Sequence, residues 1–195
     1  MYELPTEIII EGIPYRIRNQ GDFRMILDAF SVLEDEELNQ HERIISALMI
    51  FYDDLNEIED VFNDKHLEER VKQMYWFFRG GKEEDSSNTN GQKLIDWEGD
   101  SAIIISAINN VARREVRAPE YTHWWTFLAY YMAIGESTLA TVVGIRNKIV
   151  KGKSLEKWEK EYRQHNPQYF HWNHKSIDEI EAEQWLASVW NKSKE

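Results

Sequence analysis

Near the start of the chain, apolar and polar residues alternate. "EIII" (7–10) and "YRIRN" (15–19) are β-branched or aromatic, and "EGIP" (11–14) between them supplies a glycine and a proline for a turn. This pattern predicts a β-hairpin. In its second strand Tyr15 and Ile17 fall on one face and Arg16 and Arg18 on the other, as in a half-buried strand. After Asp22 the period lengthens to three and four. Phe23, Ile26, Leu27, Phe30 and Leu33 form one helical stripe, with Asp22 placed to cap it. A second helix is predicted near 36–52, with Ile44, Ile45, Leu48 and Phe51 or Tyr52 inward. A third is predicted over 65–78, using Leu67, Val71, Met74, Tyr75 and Phe78. The acidic stretch 53–64 between them fits helix or loop.

"GGKEEDSSNTNGQK" (80–93) is rich in Gly, Ser, Asn and charge and has nothing to bury, so it reads as a linker. Beyond it, helices are predicted from Trp97 to about Arg114, from Pro119 through the aromatic run, and from Ser137 to about Val150. The last of these places Leu139, Val142, Val143 and Val150 on one face. A helix over 154–164 would be capped by Ser154. Another would open with Ser176 and Glu179 at capping-box spacing and run through Trp185 towards Trp190. No internal repeat is visible. The fold class is mainly α: a compact helical domain with a small N-terminal β-hairpin. Its parts are a hairpin with acidic helices (1–79), a flexible linker (80–95), a helical core (96–165) and a C-terminal helix or tail (166–195).

The stretch "HWWTFLAYYMAIGES" (123–137) alters this otherwise ordinary picture. From Trp124 to Ile134 only Thr126 is conventionally polar. A helix apolar all round is normally buried, yet Trp and Tyr also dominate binding hot spots. Both readings hold if one face packs inward and the other meets a partner. The run falls well short of the ~18–20 residues of a membrane span. The N-terminus lacks the basic and apolar regions of a secretory signal.

Composition narrows the chemistry. With 42% hydrophobic and 13% aromatic residues among 195, the chain can bury a sizeable core. A net charge of −12 repels phosphates and argues against non-specific nucleic-acid binding. The absence of cysteine removes disulfides, thiolate zinc sites and a cysteine nucleophile. In "DWEGD" (96–100) the acids alternate like early calcium-loop ligands, but the rest of such a loop is missing, and helix capping explains them better. "FHWNH" (170–174) spaces His171 and His174 three apart, with His165 nearby, but a third zinc ligand is wanting and a surface segment is expected. No nucleophile elbow, P-loop or dinucleotide fingerprint occurs. The expectation is a non-enzyme without cofactor or metal.

Charge is segregated. Residues 34–69 hold thirteen acids against two Lys/Arg, a net of −11, whereas 146–163 hold seven cations against three acids, a net of +4. These stretches are either solvated faces that neutralise one another or a docking surface that steers a partner.

Several motifs occur in an order that carries a resemblance: "LPTEIIIEGIPYRIRNQGDFR" (4–24), "DWEGD" (96–100), "HWWTFL" (123–128), "GEST" (135–138), "IRNKI" (145–149) and "GKSLEKWEKEYR" (152–163). Together they resemble the family named for phage gene product fifteen, found in tailed phages and prophages of Gram-positive bacteria. The resemblance implies a tail assembly chaperone, encoded beside the tape-measure gene. Such a chaperone would act in the host cytoplasm and be absent from the mature virion. Its implied partners are the tape-measure protein, and with it the tail-tube protein, an upstream companion chaperone, or further copies of itself. A minor structural protein of the tail is the alternative. On the matching motifs, Trp124, Trp125, Phe127 and Tyr131 are the candidates for an aromatic partner-binding groove, and Arg146, Lys148, Lys151 and Lys153 for its charged rim.

Overall fold

The computed structural model describes residues 3–83 and 93–172. The protein is mainly α, with eight α-helices and one two-stranded antiparallel sheet among the described residues. Two compact units divide the chain. Of the described residues, 3–83 and 121–126 belong to the first, and 93–120 and 127–172 to the second.

The first unit opens with the predicted hairpin, in a tighter form. Strands β1 (Glu7–Ile10) and β2 (Ile13–Arg16) pair so that Ile10 faces Ile13, which leaves only Glu11 and Gly12 in the turn. Both have positive φ, 50° and 80°, the two-residue turn whose twist matches that of paired strands. Ile13 and Pro14, expected in the turn, therefore begin the second strand. Ile8, Ile10 and Ile17 are buried while Arg16 is exposed, so the predicted alternation holds.

The chain then makes a left-handed turn, with φ of 49° at Asn19, 54° at Gln20 and 76° at Gly21. A Cβ on Gly21 would lie 2.7 Å from the Phe77 ring, so backbone and packing both call for glycine there. The turn delivers Asp22, whose carboxylate accepts from the Arg24 amide at 3.0 Å and caps α1 (Phe23–Glu34) as expected. The same carboxylate accepts from the Thr122 amide at 2.8 Å, and the Phe23 amide donates to the Thr122 carbonyl at 2.9 Å. Residues 121–126 are thus joined to a segment a hundred positions earlier.

Helix α2 runs Gln40–Phe51 rather than from 36. Asn39 and Glu42 form a capping box, so the preceding residues stay outside the helix. A short α3 (Ile58–Phe62) occupies the acidic stretch, and α4 (Leu67–Phe78) follows close to expectation. Ile26, Ile44, Leu48, Phe51, Met74 and Phe77 make the core. At its edge Arg70 is buried, its guanidinium 2.6–2.9 Å from Asp54 and 2.7 Å from Asp64, and it lies over the rings of Tyr15 and Tyr52 at 3.8 and 4.8 Å. The Tyr52 hydroxyl donates to the Arg70 carbonyl at 2.9 Å. Burial raises its pKa, opposed by the Arg70 charge.

In the second unit α5 begins at Ser101, not Trp97, and ends at Ala112. Residues 97–100 form a turn in which Asp96 accepts from the Gly99 amide at 2.8 Å, and Asp100 from the Asp96 amide at 3.0 Å. Helix α6 spans Trp124–Met132, five residues later than the position of Pro119 suggested, because Asp22 and His123 pair in a β-bridge and hold the approach extended. Ser137 caps α7 (Thr138–Val150) as predicted. Helix α8 (Lys157–His165) is capped by Glu156, boxed with Glu159, and not by Ser154. A 3-10 turn, Pro167–Phe170, follows.

Arg146 of α7 sits inside this unit. It is 1% exposed, as is Asp100. Its Nη2 donates to Asp100 Oδ1 at 2.9 Å and Nη1 to Oδ2 of the same carboxylate. Its Nε reaches the Tyr169 carbonyl at 2.8 Å, Nη1 also reaches that of Leu94 at 2.9 Å, and the guanidinium lies 4.7 Å from the Trp172 ring. Phe170 and Trp172 are core residues packed with Ile145, which corrects the surface assignment of "FHWNH"; His171 is exposed and His174 lies outside the described residues. The helix expected from Ser176 also lies outside them.

Two substitutions test this account. Gly21→Ala is expected to cost about 3 kcal/mol from strain and overlap together. Gly152→Ala, at φ 63° with open space around it, is expected to cost only about 1 kcal/mol. Urea unfolding followed by circular dichroism measures both, and equal losses would refute the packing argument. Asp100→Ala strands a buried guanidinium and is expected to cost about 3–5 kcal/mol. Adding Arg146→Leu should then cost much less than Arg146→Leu does alone, a non-additivity that a double-mutant cycle reads directly.

Candidate functional site

The aromatic helix α6 divides by burial although its hydropathy does not. Trp124, Phe127 and Tyr131 recur at three and four and face inward. Trp124 and Phe127 are fully buried. The Trp124 indole donates to the Phe78 carbonyl at 2.9 Å and meets Phe30 edge-on at 5.5 Å. Tyr131 is half-buried against Trp97, 5.2 Å between centroids, and burial beside Asp100 raises the pKa of its phenol.

The outward positions are also apolar. Trp125 is half-buried, Ala129 is exposed and Met132 is 60% exposed, at a spacing of four and three. Trp125 is held firmly nonetheless. Its indole nitrogen donates to the Phe77 carbonyl at 2.9 Å, and its ring meets that of Trp76, also half-buried, at 5.4 Å. Gly81 lies against the rim of the ring, where an added Cβ would come within 2.7 Å. The first unit therefore presents a pair of indoles fixed by a hydrogen bond, an edge-on contact and a glycine. Sequence reasoning missed Trp76. The only available signal was its position between inward-facing Tyr75 and Phe77, off the stripe used to define α4.

His123 sets the start of this helix. Its Nδ1 accepts from the Trp125 amide at 3.0 Å, so Nε2 carries the proton and donates to the Pro5 carbonyl at 3.0 Å. Burial lowers its pKa, against the opposing pull of the Pro5 carbonyl and Asp22. A neutral ring in one tautomer satisfies both contacts, and a second ring proton would collide with the Trp125 amide.

The eight candidate residues thus separate. Trp124 and Phe127 are sealed within the protein and line no groove, because the inward stripe of α6 takes them. Arg146 is no rim cation, because Asp100 and two carbonyls surround it. Trp125 stands at the surface of the first unit, and Lys151 and Lys153 are exposed in the second. Lys148 is drawn onto Glu159 at 2.6 Å, a bond that raises the lysine pKa and lowers that of the carboxylate. Asp96, Glu98 and Asp100 do not converge, and among the described residues no three His, Asp or Glu side chains are grouped to hold a metal. No described helix is long and apolar enough to cross a membrane.

No curated protein and no solved structure matches the chain. The family model described as "Bacteriophage Gp15 protein" matches residues 2–170. The match takes in the hairpin, the left-handed turn, the Asp100–Arg146 pair, the whole of α6 and the basic helix α8. The protein is phage-associated, and with most of its length matched the chain belongs to the bacteriophage Gp15 protein family.

Proposed function

We propose that the protein is a tail assembly chaperone that holds the tape-measure protein before the tail tube encloses it. The observation that carries this reading is the pair of half-buried indoles in the first unit, where Trp125 is locked against Trp76 and hydrogen-bonded to the Phe77 carbonyl. Rings fixed in place lose little entropy on binding, so a small patch can contribute well above its area. A long helical partner with apolar stretches offers what such a patch needs. The patch is also small enough to let go. The deep groove expected from Trp124 and Phe127 plays no part, and Lys151 and Lys153 are exposed on the second unit.

Co-expression with the adjacent tape-measure gene is expected to keep that protein soluble and to yield a complex that co-purifies. Trp125→Ala and Trp76→Ala, separately, are expected to weaken the complex about tenfold or more with the helical circular-dichroism signal retained. A tape-measure protein equally insoluble with and without this chain would remove the proposal. Mass spectrometry of purified virions separates the alternative, since stoichiometric presence there marks a structural tail component.

A further inference from the structure

The chain carries two surfaces of opposite charge, each with apolar residues left in water. The first is α3. Val61 is fully buried and anchors this short helix, but Ile58 and Phe62, four apart and hence neighbours on one face, are 53% and 56% exposed. Glu57, Glu59 and Asp60 stand exposed around them, while Asp53 and Asp54 just before pair with Arg18 and Arg70. The second surface is α8 and the loop leading to it. Glu159 turns inward to Lys148, which leaves Lys157, Lys160 and Arg163 exposed, and Lys151 and Lys153 precede them in the loop. Among these cations Trp158 is 52% exposed, its indole donating to Glu156 at 3.1 Å. Among the described residues nothing covers these exposed side chains.

We infer that these surfaces bind each other between copies, with α3 of one molecule docking on α8 of the next. Each lacks what the other supplies. The exposed carboxylates of Glu57, Glu59 and Asp60 meet lysines and an arginine, and Ile58 with Phe62 offers an apolar seat for one indole. Copies joined by one such contact still carry one surface of each kind, to which a further copy can add. The rim is solvent-exposed and charged, so salt weakens the contact. This inference is independent of which protein Trp125 holds.

Sedimentation equilibrium is the test. In low salt the weight-average mass should climb with concentration from the 23.3 kDa of one chain to twice that value or beyond, and high salt should lower it. Lys157→Glu with Lys160→Glu, and separately Glu59→Lys with Phe62→Lys, should each weaken self-association roughly tenfold or more. Mixing the two variants should restore one contact per pair and stop at a one-to-one dimer, since each retains only the surface that the other has lost. Circular dichroism and melting temperature check their folding, and Trp158→Ala and Ile58→Ser replace any variant that melts early. A wild-type chain that stays monomeric in low salt at every concentration overturns the inference. So does association that neither surface's variants weaken, or a mixture that stays as weak as its parts.

Discussion

The second unit depends on the buried pair of Arg146 and Asp100. Removing two charges from water is costly, and the cost is offset only where geometry is good and every remaining donor finds an acceptor. Here both conditions are met: the carboxylate accepts from both terminal nitrogens, and the Leu94 and Tyr169 carbonyls accept from Nη1 and Nε. Leu94 lies before α5, Arg146 is on α7, and Tyr169 follows α8. One guanidinium therefore fixes three segments that no helical ladder joins, and the Trp172 ring covers it. The same pair explains why α5 begins late. Asp100 is engaged by Arg146 and by the Asp96 amide, so residues 97–100 stay in a turn and the helix starts at Ser101.

The first unit uses a related device. Arg70 gathers Asp54 and Asp64 from the acidic stretch and lies across Tyr15 and Tyr52, which ties hairpin, α2 and α4 together. In both units an arginine satisfies polar groups of irregular segments that would otherwise be buried without partners. Thirteen acids in residues 34–69 therefore do more than keep the chain soluble. Asp54 and Asp64 fix Arg70, Asp60 caps α3, Glu42 boxes α2, and others remain at the surface.

What the sequence made legible follows from how local each signal is. The hairpin, α1, α4 and α7 could be read because alternation, period and an N-cap residue such as Asp22 or Ser137 all lie within one turn of the element they define. The starts of α2, α6 and α8 could not. Several residues before each start would serve as a cap, and at α6 the choice between Pro119 and Trp124 is made by Asp22, a hundred residues away. Arg146 misled for a related reason. Among Lys148, Lys151 and Lys153 a cation looks solvated, and only a carboxylate 46 positions distant turns it inward. In "FHWNH" the spaced histidines suggest a surface segment, whereas Phe170 and Trp172 pack into the core.

The aromatic helix shows why a hydropathy pattern alone leaves its question open. Periodicity reveals a buried face only when the opposite face is polar, and α6 is apolar on both. In the fold Trp124, Phe127 and Tyr131 are used for packing, while Trp125 is half-buried and Ala129 and Met132 are exposed. Apolar surface left in water costs free energy in proportion to its area. A chain that leaves Met132 exposed and Trp125 only half-buried forgoes part of that stabilisation, and it also fixes the Trp125 indole with a backbone hydrogen bond and a neighbouring ring. The buried part of the Trp125 ring packs on Trp76 and Gly81, and fixing the orientation of the part left exposed contributes little further to folding. It does lower the entropy lost when another surface covers the ring, which makes the orientation of Trp125, more than its hydrophobicity, the feature that folding alone leaves unexplained.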